Sequence, residues 1–169
     1  MLLKETALVR LLGLKIPMLL FLGPRVQRLD DEVCEVVIPF RWRSRNHVGV
    51  MYLGALAAGA DLATGLPAAK LIVTRHRRVE LLFTEMRAEF LKRADSDAVF
   101  RSAQVREVAE AVRRADQTGE RVTVPIEIVA TCPRTRGDEP VARFTMAITF
   151  KRRGERRPEE AARVAGGAR

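Results

Sequence analysis

The sequence predicts an α+β fold in which one curved, mostly antiparallel sheet wraps around a central helix at about residues 50–65. Three observations carry this. Residues 45–65, RNHVGVMYLGALAAGADLATG, are almost entirely small and apolar, a composition that suits a helix buried against a sheet. Around them lie several segments rich in β-branched residues, which favour strands. The resulting order, one strand, a buried helix and then several strands, packs most economically as a sheet around a helix. At 169 residues the chain can bury one substantial core and is short for two.

Residues 5–22 read as an amphipathic helix broken by GPRV at 23–26. Arg10, Lys15 and Pro17 interrupt its apolar run, which therefore falls short of the roughly 20 apolar residues of a membrane span. No small-residue cleavage site of a secretory signal follows it. The helix is expected to pack on the domain, with a membrane-surface anchor as the alternative. EVCEVVIPFRW, 32–42, reads as a strand. The helix at 50–65 is expected to stop at Gly65-Leu66-Pro67. Its three glycines each cost about 1 kcal/mol relative to Ala, tolerable where the backbone lies close against a sheet.

VELLFTEMRAEFLKRA, 79–94, has apolar spacing that suits a helix nearly as well as a strand, and the topology favours a long strand. AVFRSA, 98–103, is a short strand. Val105, Val108, Ala109 and Val112 recur at helical spacing, giving an inserted surface helix over 103–117 ended by Gly119. RVTVPIEIVATC (121–132) and PVARFTMAITFKR (140–152) alternate and pair as a hairpin across the polar turn TRGDEP. Beyond Arg153 the apolar content is too low to order the chain. The expected organisation is an N-terminal helix (1–24), a main domain (25–152) and a basic, disordered tail (153–169).

The net charge of +9 invites a nucleic-acid reading. Residues 151–169 hold seven basic and three acidic residues, however, leaving only +5 on the body. One Trp and one Tyr give little for base stacking, and no helix-turn-helix, zinc-finger or RNA-recognition pattern is present. Cys34 and Cys132 lack CxxC or Cys/His spacing, so neither zinc nor a disulfide is expected. Buried reduced thiols suit a cytoplasmic protein.

Asn46, Gly49, Gly54 and Asp61 need explaining within the apolar stretch. Asn46 and Gly49 lie ahead of the helix, where free backbone N–H groups meet the positive end of the helix dipole, a place for an anion or a polarised carbonyl oxygen. Asp61 lies seven residues beyond Gly54, displaced by roughly 10 Å along the axis. It cannot reach a carbonyl held at the start of its own helix, but could reach one held by the helix of a second subunit. The alternatives stay open: Asp61 as a cap or the partner of an arginine, and Asn46 as a loop residue.

Asn46-x-x-Gly49, Gly54 and Asp61-Leu62-Ala63 resemble the signature of hotdog-fold thioesterases of the phenylacetyl-CoA type, Asn-x-x-Gly-x-x-His-Gly-Gly followed seven residues later by Asp or Glu. NHVGVMYLGALAAGADLATG, with AEFLKRA downstream, is closer still to a domain-of-unknown-function branch of that superfamily, over about residues 20–152. The resemblance implies a hotdog fold and dimers joined sheet edge to sheet edge. It implies Asp61 as general base or nucleophile toward an acyl-CoA thioester, a Gly49–Gly54 helix start that polarises the carbonyl, and Asn46 placing water. The family's His-Gly pair is here Tyr52-Leu53. The Tyr52 hydroxyl is a substitute donor, while Leu53 crowds the backbone's approach to the thioester. Thr84 corresponds to a downstream Ser/Thr of some relatives.

For the coenzyme A phosphates the candidates are Arg43 and Arg45, alternating with Arg41 along one expected strand, and the run Arg75, His76, Arg77, Arg78. A solvated charged face is the alternative for both. His47 adjoins Asn46 and is a further candidate contact. The implied function is hydrolysis of an acyl-CoA or related acyl thioester at a site shared across a homodimer or dimer of dimers. The alternative is a non-catalytic acyl-thioester or lipid-binding module; a hotdog dehydratase is a third, less favoured reading, because this sequence has no catalytic His suitably placed at the end of the first strand. No metal or separate cofactor is expected, coenzyme A entering as part of the substrate, and neither nucleic-acid binding nor stable membrane insertion is expected.

Overall fold

A computed structural model describes residues 5–153 except 8, 10–13, 15 and 77. The expected tail at 154–169, parts of the leading helix and Arg77 lie outside the described residues. Six strands, β1 (Arg25–Leu29), β2 (Cys34–Ile38), β3 (Val79–Phe90), β4 (Ala98–Ser102), β5 (Val122–Thr131) and β6 (Pro140–Arg152), form one sheet in the order β1-β2-β4-β5-β6-β3. Every pairing is antiparallel. The helices are α1 (Pro17–Leu22), α2 (Leu53–Thr74), α3 (Val105–Thr118) and a single turn, α4 (Pro133–Arg136). The sheet wraps α2, and α3 packs against α2, β5 and β6, an α+β hotdog architecture.

The central helix differs from expectation at both ends. Met51 is tied into a bridge with Arg45, so the helix begins at Leu53 rather than residue 50. It then runs through Pro67 to Thr74 instead of stopping at 65–67. An internal proline forfeits one backbone bond at a cost of about 3 kcal/mol. Leu66 (1% exposed) and Ala68 (0%) flank it in the core, and Leu71 and Ile72 pack against that core. The burial of Leu66 and Ala68 and the packing of partly buried Leu71 and Ile72 outweigh the one lost bond. Close packing also explains a glycine: a Cβ on Gly59 would lie 2.3 Å from Phe100 Cε2, so β4 and α2 approach only because none is there.

By length and composition α2 alone among the described helices could span a membrane, but half of its apolar window is buried inside the fold. It is the core helix of the wrap.

β3 resolves the helix–strand ambiguity of residues 79–94. It pairs with β6 from Val79↔Arg152 to Phe90↔Ala142, with a bulge between Phe83 and Glu85. As the terminal strand of the sheet it has one open edge, and Leu82 (56%), Met86 (42%) and Phe90 (51%) stand exposed on it. α3 follows its amphipathic pattern, burying Val105, Val108, Ala111, Val112 and Ala115 and ending at left-handed Gly119. The β5–β6 hairpin closes through α4. β1 was not expected, because RVQRL is short and largely polar; pairing with β2 creates it. Cys34 and Cys132 are buried free thiols, and burial pushes the Cys34 thiol up to about 12, leaving it inert.

Candidate functional site

The loop before α2 is organised by Asn46. Its side-chain Oδ1 accepts the N–H groups of Val48 and Val50, both at 3.1 Å. Its own N–H donates to Val50 O at 2.8 Å. Gly49 donates to Asn46 O at 3.1 Å with φ +78°, a left-handed geometry that favours glycine. Met51 and Tyr52 donate to Ala94 O and Ser44 O, clamping the loop to the body. The Asn46 carboxamide oxygen is thus committed to shaping the turn. Tyr52 precedes the helix, and no side chain caps it. The Tyr52 ring folds back over Gly54, where a Cβ would sit 2.5 Å from Cε1. Tyr52 and Leu53 are both more than half exposed.

Asp61, two turns into α2, lines a groove of about 660 Å³ with Gly54, Phe83, Thr84, Met86 and Met146. It forms no ion pair among the described residues, and burial pushes its carboxyl up from 3.8 to about 6. Within the one chain, none of the described arginines pairs with Asp61. Thr84 sits at the β3 bulge. Its hydroxyl donates to Ala147 O at 3.3 Å and lies 3.5 Å from Thr149 Oγ1, which is 2.8 Å from Thr123 Oγ1. A row of three hydroxyls therefore crosses β3, β6 and β5, with Thr149 buried between exposed Thr84 and Thr123.

A second groove of about 510 Å³ contains Asn46, Leu53, Leu56, Phe90 and Ala94. Each groove borders a different stretch of β3: Asp61, Gly54 and Thr84 line one, and Asn46 and Leu53 line the other. Gly49, Tyr52 and the exposed His47 line neither groove.

Arg43 and Arg45 do not alternate along a strand as expected. β2 ends at Ile38, and Trp42–Ser44 is a 3-10 turn. Ser44 Oγ, accepting from Arg41 N and donating to Pro39 O, bends the chain there. Arg43 lies over the Phe21 ring at 5.6 Å and Arg45 over Phe40 at 5.4 Å. In the second basic run His76 Nδ1 is 2.7 Å from Asp116 Oδ2. Sequence reasoning missed Glu85, Met86 and Met146 on the Asp61 groove. Only the pairing of β3 with β6 puts them there, and no local signal marks them. No cluster of three metal-ligating side chains occurs among the described residues.

A Pseudomonas aeruginosa protein of unknown function, described as a probable thioesterase, shares this fold with a TM-score of 0.69 and 24% identity, over 89% of this chain and 97% of that one. A Chlorobaculum tepidum protein of unknown function gives 0.72 and 14%, over 88% and 94%. A Haemophilus influenzae thioesterase gives 0.64 and 12%, over 88% and 93%. No curated protein matches the chain. The family described as "Domain of unknown function (DUF4442)" matches residues 4–149, and the chain belongs to that family, with a fold shared with those solved structures.

Proposed function

We propose that the protein hydrolyses an acyl-CoA or related acyl thioester at a site shared by two chains of a homodimer. The observation that carries this is Asp61: a carboxylate on an apolar groove, without an ion pair among the described residues, and raised by burial to about 6. Such a group is ionised near neutral pH and basic enough to take a proton from water. Pairing of the open β3 edge with that of a second copy would continue the sheet and cover Leu82, Met86 and Phe90. It would also face the Asn46–Leu53 groove of one chain toward the Asp61 groove of the other.

In this reading Asp61 accepts a proton as water attacks the thioester carbonyl carbon. The carbonyl oxygen, taking up the electron pair, is stabilised by the first N–H groups of the partner's α2. Collapse expels the thiolate, which recovers a proton, leaving free acid and thiol. Asn46 holds the loop that aims those N–H groups, Gly49 allows its turn, and Thr84 walls the groove. His47 lies outside the grooves and is assigned to the nucleotide end of coenzyme A. We place the protein in the cytoplasm, where such thioesters occur. The similarity in fold to thioesterases supports the reaction class.

The test is thiol release from short, medium, long and aryl acyl-CoAs by the wild type beside Asp61→Asn. Release that collapses in the variant supports hydrolysis. Exposed Leu53 at the helix start, where the signature has Gly, favours a second reading, a binding module. That reading predicts no release by either protein and acyl-CoA affinity retained by Asp61→Asn.

A further inference from the structure

α1, PMLLFL, has no polar side chain, yet it lies on the surface. Leu19 and Leu22 face the core at 4% exposure, while Met18 (56%), Leu20 (43%) and Phe21 (46%) face outward. A short helix apolar on every side and half open to water is unusual in a water-soluble fold. The patch extends to Trp42, 76% exposed, whose ring meets Phe21 edge-on at 5.8 Å. Trp42 is displayed outward by a rigid device, the Ser44-braced 3-10 turn.

The charge around Trp42 is mainly basic, while Asp61 and Glu85 lie on the groove side of α1. Arg41 and Arg45 are exposed beside Trp42, and Arg43 stacks on Phe21. No acidic residue occurs between Glu5 and Asp30 or between Glu35 and Asp61. Of the nearby groups from other elements, Asp97 is already paired with Arg25 at 2.8 Å. Apolar side chains that include an amphipathic Trp, ringed by arginines, match the layering of an anionic bilayer, acyl chains beneath phosphate headgroups.

We propose that α1 and Trp42 form a docking surface for an anionic lipid membrane, dipping their apolar side chains into the interface while Arg41, Arg43 and Arg45 meet headgroup phosphates. The same helix walls the Asp61 groove, through Met18 and Leu19. Docking therefore sets the mouth of that groove at the lipid surface, where long acyl chains partition. The inference about acyl delivery rests on the thioester reading above, whereas membrane docking does not depend on it.

The protein reports on itself, because Trp42 is its only tryptophan. The full chain is titrated, without substrate, with vesicles of phosphatidylcholine alone or mixed with phosphatidylglycerol, and sedimentation and tryptophan emission are followed together. The expected result is co-sedimentation with the anionic vesicles and a blue shift of Trp42, both reduced at high salt. Binding should weaken about tenfold in Leu20→Ser and in Arg41→Glu, each checked for native melting. Co-sedimentation with unchanged emission would place the contact elsewhere and overturn the proposal. So would an absence of anionic-vesicle binding, or an emission shift that follows protein concentration without lipid, which would mean that a second copy covers the patch.

Discussion

Replacing Asp61 by Asn should make the protein more stable, by a margin that grows between about pH 4 and pH 6 and is full above pH 6. The carboxyl is pushed by burial from 3.8 to about 6, so the folded state holds its proton more tightly than the unfolded chain. Below about pH 4 both states are protonated and the site carries no penalty. As the pH rises from 4 to 6 the unfolded chain ionises first, and stability falls until the folded carboxyl also ionises. Above pH 6 the loss is complete. At about 1.36 kcal/mol per tenfold change in proton affinity, the rise corresponds to roughly 3 kcal/mol. For a chain of this size that is a melting-temperature difference of roughly 6–12 °C. Thermal melts of wild type and Asp61→Asn at pH 4 and pH 8 measure it. The expected outcome is coincident melts at pH 4 and a higher melting temperature for the variant at pH 8. A gap equal at both pH values, or a wild type more stable at pH 8, would refute the reasoning, because it would mean that the ionised carboxylate is satisfied in the fold.

The same burial sets the activity profile: kcat/KM for acyl-CoA hydrolysis should rise with an apparent pKa of about 6 and then level off, and stopped thiol release across pH 5–8 checks this. Gly59→Ala should destabilise by about 2–3 kcal/mol in denaturant titration, since its Cβ meets the fully buried Phe100 ring at 2.3–2.5 Å. Gly49→Ala has open space around it but must hold φ +78°, so its cost should be about 1–2 kcal/mol. Leu82→Lys with Phe90→Lys on the open β3 edge should convert the proposed dimer to monomers in light scattering and abolish the proposed hydrolysis while leaving the monomer folded.

The features legible in the chain before folding are those whose causes are local. The alternation of 121–132 and 140–152, the amphipathic spacing of Val105, Val108 and Val112, and the small apolar run carrying Asp61 specify their elements through neighbours a few residues away. The sheet around a helix follows from their order. Tertiary structure alone decided the rest. Pro67 is a local stop signal overruled by the burial of Leu66 and Ala68. Residues 79–90 become a strand because β6 pairs with them, and RVQRL because β2 does. Arg43 and Arg45 leave the expected strand because Ser44 bends the chain and the rings of Phe21 and Phe40 receive them. The Asp61 groove draws its walls from α1, α2, β3 and β6, elements far apart in the chain. Burial of that carboxyl, and with it its proton affinity, exists only when those walls are assembled.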